Sequence, residues 1–204
     1  MSPAGSVLPT LVALAVVATA AVAAASQLTL GFRVFTAEDA RRIRIAAAPA
    51  AISPVRIDGT TDALWGGDPH TRVWLVTFMY ASCPSVCAVL GTEFQQLQSA
   101  MLPGNGVRLA SISFDRARDT PAALAGYAQR LHVDPQRWLV AVPGSDTALA
   151  RLLREAGVIA IDDGAGGYAH NAAIHVITAE GRLVALFDLD RYRDALAYGE
   201  GLAR

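Results

Sequence analysis

The sequence predicts an α/β fold, a mixed central sheet flanked by helices and preceded by an N-terminal hydrophobic helix. Three observations predict it. Val7 to Leu30 is an almost uninterrupted run of Ala, Val and Leu, interrupted only by small or weakly polar residues. Val73 to Met79 is a compact apolar run rich in β-formers, as expected of a buried central strand. Beyond it, strand-like and helix-like patterns alternate to the end of the chain, which suits a layered α/β domain. With 204 residues, 53% hydrophobic and 17% charged, the chain is large enough for one packed domain and a short appendage.

The first apolar run has the length needed to cross a bilayer, roughly 20 residues. Ala23 and Ala25 before Ser26 also fit the small-x-small pattern of a cleaved signal peptide. Residues 1–32 are therefore expected to be a signal peptide or membrane anchor, residues 33–53 a linker, and residues 54–204 the folded domain. Ala46 to Pro54 is rich in Ala and Pro, and Asp58-Gly59 is a turn signal, so a small hairpin should follow the linker. After the Val73–Met79 strand, Pro84 suits a first helical turn. Val86, Val89, Leu90, Phe94, Leu97 and Met101 recur at helical spacing to about Leu102. Val107 to Phe114 reads as a strand, and Thr120-Pro121 opens a helix through Leu131. Trp138 to Val142 is a further strand, and Ser145 or Asp146 caps a helix to about Ala156. Past the glycine-rich loop Gly164 to Gly167, Ala172–Thr178 and Arg182–Phe187 form two strands joined at Glu180-Gly181, with a last helix from about Asp190. This order is thioredoxin-like.

Net charge is −1, and all seventeen basic residues are arginine. A near-neutral balance leaves no polyanion-binding footprint, so no nucleic-acid partner is expected.

The only two cysteines, Cys83 and Cys87, sit where the buried strand gives way to the helix. Four residues apart at a helix start, they project on one face. Free backbone N–H groups there favour the thiolate. A thiolate pair is a soft ligand set suited to Cu(I), or to Zn(II) with further ligands. The same pair can form a disulfide, since Cα atoms one helical turn apart lie within bridging range. A purely structural disulfide would close a short loop and stabilise by only roughly 2 kcal/mol. Two inert buried thiols are the other plain reading.

Four histidines are available as a further ligand. His70 lies in a polar loop, His132 near a helix end where an imidazole meets free carbonyls, and His175 inside a strand as a packed side chain. His170 stands in the loop Gly166-Gly167-Tyr168-Ala169-His170-Asn171. In a thioredoxin-like fold, the loop before the following strand lies beside the helix start that carries the cysteines.

Three blocks carry a family resemblance. Val76-Thr77-Phe78-Met79-Tyr80-Ala81-Ser82-Cys83-Pro84-Ser85-Val86-Cys87 resembles the Sco/SenC signature, in which a strand ending in an aromatic leads to the cysteine pair. Ser111-Ile112-Ser113-Phe114-Asp115-Arg116-Ala117-Arg118-Asp119-Thr120-Pro121 is similar to that family's Val-Asp-Pro-x-x-Asp-Thr-Pro stretch. His170-Asn171-Ala172-Ala173-Ile174-His175-Val176-Ile177 resembles its ligand histidine and following strand. The blocks fall in the family's order. The resemblance implies a metal site of Cys83, Cys87 and His170 holding copper, as Cu(I) with Cu(II) left open. It implies a metallochaperone that delivers Cu(I) during assembly of a respiratory oxidase copper centre, its partner being the oxidase's copper-binding subunit.

Copper loading would need both thiols reduced, hence a thiol reductant as a second partner in an oxidising compartment. The rival reading makes Cys83 and Cys87 the redox-active pair of a thiol-disulfide oxidoreductase that reduces the oxidase subunit's cysteines. Three intervening residues, where dedicated dithiol enzymes more often have two, weigh against it. The family's usual Asp before the histidine is Ala169 here, its usual Ser or Thr after it is Asn171, its usual Pro after the second cysteine is Ala88, and an aromatic in the next strand is replaced by His175. Asp115 and Asp119 match the resembled family's loop, where they either contact metal or cap and brace a helix, and bracing is favoured. Arg33, Arg41, Arg42 and Arg44 follow the apolar run and by the positive-inside tendency favour a cytoplasmic domain. The cleavage pattern and the resemblance favour the opposite, periplasmic side, and that side is the expectation.

Overall fold

The computed structural model describes residues 7–58, 63–66, 70–82, 86–102 and 104–204, with the backbone alone at 86–90. The chain divides into two compact units, Met1–Ile43 and Arg44–Arg204.

The first unit is dominated by α1 (Val7–Leu28), 22 residues whose apolar side chains are exposed along its length. At 1.5 Å per residue it extends about 33 Å, against a hydrocarbon core of roughly 30 Å. It is long and apolar enough to cross a membrane. Within the stretch expected as a linker, residues 37–47 form a helix, α2 (Ala37–Ala47). Its start is a reciprocal cap. The Thr36 hydroxyl accepts from the Asp39 N–H at 3.0 Å and donates to the Asp39 carboxylate at 2.8 Å. Glu38 pairs with Arg41 one turn on, at 2.7 Å.

The second unit is built on a six-stranded sheet in the order β1-β10-β9-β4-β5-β6. Its strands are β1 (Ala50–Ala51), β4 (Val73–Met79), β5 (Val107–Ser113), β6 (Trp138–Ala141), β9 (Ile174–Thr178) and β10 (Arg182–Phe187). β4 runs parallel to β5, and β5 to β6, while β9, β10 and β1 pair antiparallel, so the sheet is mixed as expected. Every residue of β4 is buried, so both faces of the sheet centre are covered. The flanking helices are α3 (Val86–Ala100), α4 (Pro121–Arg130), α5 (Asp146–Ala156) and α6 (Tyr192–Ala203). Thr120 and Ser145 cap α4 and α5, their hydroxyls accepting from Ala123 and Ala148 N–H. α5 ends at Gly157 in the left-handed conformation. Gly199 lets α6 lie close on Val73 and Leu75, where an added Cβ would meet both at 3.4 Å.

The expected small hairpin is present as β2 (Val55–Arg56) against β3 (Ala63–Leu64); residues 59–62 between them lie outside the described ones. A second hairpin is an addition to the expected order, formed by β7 (Ala160–Asp162) and β8 (Tyr168–His170). His170 is therefore the last residue of a short strand, not a loop residue. The turn uses positive φ at Gly164 and Gly166. Asp163 braces it, accepting from Ala165 and Gly167 N–H at 2.8 Å each.

Candidate metal centre

The carboxyl ends of β4 and β5 and the β7–β8 hairpin converge. β4 ends at Met79 and α3 begins at Val86, so the backbone places Cys87 in the first turn of α3. Cys83 and the side chain of Cys87 lie outside the described residues. What is described is the ground on either side of them.

Tyr80, three positions before Cys83, is buried in an aromatic cluster. Its ring centroid lies 5.6 Å from Phe114, 5.2 Å from Tyr168 and 6.5 Å from His170. Phe114 meets the His170 imidazole edge to face at 5.1 Å and Tyr168 at 5.2 Å. The Tyr168 N–H donates to the Tyr80 hydroxyl at 3.3 Å. Gly167 belongs to the same close approach: a Cβ there would stand 2.5 Å from the Asp163 carboxylate and 3.3 Å from the Tyr80 hydroxyl. The fold thus brings His170 to the residue that leads into the cysteine segment.

His170 is half-buried, and neither ring nitrogen makes a hydrogen bond of good geometry to a described group. Burial pushes its pKa below the ordinary imidazole value, with the Asn171 backbone pulling weakly the other way. A shielded, neutral imidazole with unpartnered nitrogens costs about 1–3 kcal/mol in lost hydration. Such a nitrogen is suited to a soft or borderline metal ion. Ala160 opposes His170 in the hairpin, so Ala169 and Ile161 project to the opposite, exposed face. A carboxylate at 169 would therefore start from the far face of the strand.

The other histidines are accounted for otherwise. His175 is fully buried, edge-on to Phe78 at 5.0 Å, with Nδ1 3.2 Å from the Ala173 carbonyl. It packs where the resemblance leads one to expect an aromatic ring. His132 follows the end of α4, with Nδ1 3.4 Å from the Gln95 amide, and His70 is exposed. Asn171 takes a structural part: its side chain accepts from the Ile159 N–H at 2.7 Å and donates to the Gly157 carbonyl at 3.0 Å, tying the hairpin to the end of α5.

Asp119 and Asp115 brace the other side, through contacts to the loop after β4, the end of β5 and Arg118. Each is 2% exposed. One Asp119 oxygen accepts from the Ser113 hydroxyl at 2.6 Å and from the Ala81 N–H at 2.8 Å, pinning the chain two residues before Cys83 to the end of β5. Burial raises the Asp119 pKa against the pull of those two hydrogen bonds. Asp115 forms an ion pair with Arg118. Tyr80 and Tyr168 were not singled out from the sequence as site residues; an aromatic in each of three separate segments was the available signal.

These features define a thioredoxin-like domain with two cysteines in the sequence between a central strand and its following helix, and with a half-buried imidazole packed beside Tyr80, which leads into that segment. A family model described as SCO1/SenC matches residues 57–198, and the chain belongs to that family. Comparison with curated proteins gives no match. Among solved structures, a SCO1/SenC family lipoprotein from Bacillus anthracis str. Ames is similar at TM-score 0.67 and 19% identity, over 77% of this chain and 98% of that one. ScoI from Bradyrhizobium japonicum with copper bound is similar at TM-score 0.60 and 26% identity, over 76% and 100%. BsSco, a member of the Sco family of cytochrome c oxidase assembly proteins in which a disulfide switch was identified, is similar at TM-score 0.65 and 18% identity, over 76% and 95%.

Proposed function

We propose that this protein is a copper metallochaperone that holds Cu(I) through Cys83, Cys87 and His170 and delivers it during assembly of a respiratory oxidase copper centre. The observation that carries this reading is the half-buried His170 imidazole, neither nitrogen of which makes a hydrogen bond of good geometry to a described group, packed through Phe114 and Tyr80 against the approach to Cys83. The copper held by Bradyrhizobium japonicum ScoI and the oxidase-assembly role of BsSco's family supply the cargo and the partner.

Two thiolates and one imidazole bind Cu(I) while leaving room for another ligand. A thiolate of the oxidase subunit can then attach before Cys83 or Cys87 leaves, and transfer proceeds without a free ion. Oxidation of the pair to a disulfide removes both soft ligands, so a thiol reductant gates loading. The α1 helix serves as anchor or export signal, and the sheet domain, from β1 (Ala50–Ala51) onward, is the working part on the periplasmic side.

The disulfide switch of BsSco favours one second reading, a thiol-disulfide oxidoreductase acting on the oxidase subunit through Cys83 and Cys87. Anaerobic titration of the reduced full-length chain in detergent with Cu(I), against a competing chelator, separates the two. The chaperone reading expects one copper per chain and an affinity at least roughly tenfold lower (about 1.4 kcal/mol) in His170→Ala. Reduced protein that exchanges disulfides but does not compete for copper would establish the oxidoreductase instead.

A further inference from the structure

Arg118 connects two parts of the domain that share no strand pairing. At one end its Nε donates to the buried Asp115 carboxylate, and its backbone N–H donates to the other Asp115 oxygen at 3.3 Å. Asp115 is held in turn, its own N–H donating to the Ser113 hydroxyl at 3.0 Å. That same hydroxyl donates to Asp119, which pins Ala81. At the other end, Nη1 of Arg118 donates to the Gly166 carbonyl in the β7–β8 turn, and the guanidinium carbon lies 5.2 Å over the Tyr168 ring. Tyr168 and His170 occupy the same face of β8, two residues apart.

A planar guanidinium can donate along two edges while stacking its face on a ring, which an ammonium group cannot reproduce. The cation is therefore fixed in position by the carboxylate network at the end of β5 and grips the hairpin by backbone and ring together. It is itself 39% exposed and lies outside the hydrophobic core. This arrangement is more than a surface ion pair, because its far end is the turn that carries the candidate ligand.

We infer that Arg118 is a positioning residue for His170, holding the β7–β8 hairpin so that the imidazole meets the Cys83 and Cys87 thiolates, without touching copper itself. The inference rests on the proposed three-ligand site. Through Asp115, Ser113 and Asp119, one network then sets both the histidine hairpin and the entry to the cysteine segment, so a displacement of either is felt by the other.

The test is Cu(I) affinity and X-ray absorption of the full-length reduced chain in detergent, for wild type, His170→Ala, Arg118→Gln, Arg118→Lys and the double variant Arg118→Gln/His170→Ala. Wild type is expected to show two sulfur ligands and one nitrogen. Arg118→Gln should lose affinity by about tenfold, the lower end for residues that orient a metal ligand, and its nitrogen contribution should weaken while unfolding stays cooperative. Arg118→Lys should fall between wild type and Gln. The double variant should bind no more weakly than His170→Ala, because the arginine acts only through the histidine. Wild-type affinity with full nitrogen ligation in Arg118→Gln, complete rescue by lysine, or additive losses in the double variant would each overturn the positioning role. If His170→Ala itself binds copper like wild type, the three-ligand reading falls, and that outcome is distinct from failure at Arg118 alone.

Discussion

The two sides of the candidate site are built in opposite ways. The side leading to the cysteines is an extension of the core: β4 is buried at every position, and Asp115 and Asp119 at the end of β5 are each 2% exposed with fixed donors. The side bearing His170 is a two-stranded hairpin apart from the main sheet, with Ile159 and Ile161 each 61% exposed. It is held by single side chains: Tyr80, Asn171, Arg118 and, within the turn, Asp163. A short isolated hairpin is marginal in water, so its geometry depends on those ties. The contrast teaches that one half of the site is specified by the fold and the other by a few residues, which point substitutions can adjust one at a time.

The largest effect should come from the core side. Asp119→Ala leaves the buried Ser113 hydroxyl and the Ala81 N–H without their acceptor, and stability should fall by about 2–3 kcal/mol in urea unfolding. A loss below about 0.5 kcal/mol would mean that the core side is no more rigidly determined than the hairpin. Asn171→Ala should cost less, about 1–2 kcal/mol, since it frees one N–H and one carbonyl at the base of the hairpin. Its distinguishing mark is local: amide exchange at 159–170 should accelerate while β4 and β5 stay protected. Uniform acceleration would erase the distinction between the two sides.

The smallest effect concerns pH. Burial depresses the His170 pKa in the folded state, so the unfolded chain binds the proton more readily. The contribution of this residue to stability is complete above the unfolded value of about 6.5. It declines as pH falls from there toward the lower folded value. Thermal unfolding of the copper-free protein between pH 8 and 5 should show a steeper decline in wild type than in His170→Gln. Parallel curves would mean that the imidazole is as well solvated folded as unfolded.

Much of this architecture was legible because it is periodic. The apolar run at Val73–Met79, the helical spacing from Val86 to Met101 and the capping residues Thr120 and Ser145 each announce an element locally. α2 was obscured by the Ala- and Pro-rich stretch at its end, although Thr36 and Asp39 spell a cap. β1 and the β7–β8 hairpin could not be read, because Ala50-Ala51 and Tyr168-Ala169-His170 carry no alternating pattern and become strands only through their partners. Of the proposed ligands, Cys83 and Cys87 were legible from their spacing at a helix start, and His170 through the family resemblance. The cradle of Tyr80, Phe114 and Tyr168 was not, since rings from three distant segments meet only in the folded chain.

The main sheet terminates on one side in β1, two residues long, and on the other in β6, four residues long and followed by a lone bridge between Ile57 and Pro143. Each outermost strand by itself offers an added strand only a short template, one of the ways in which sheets blunt their edges.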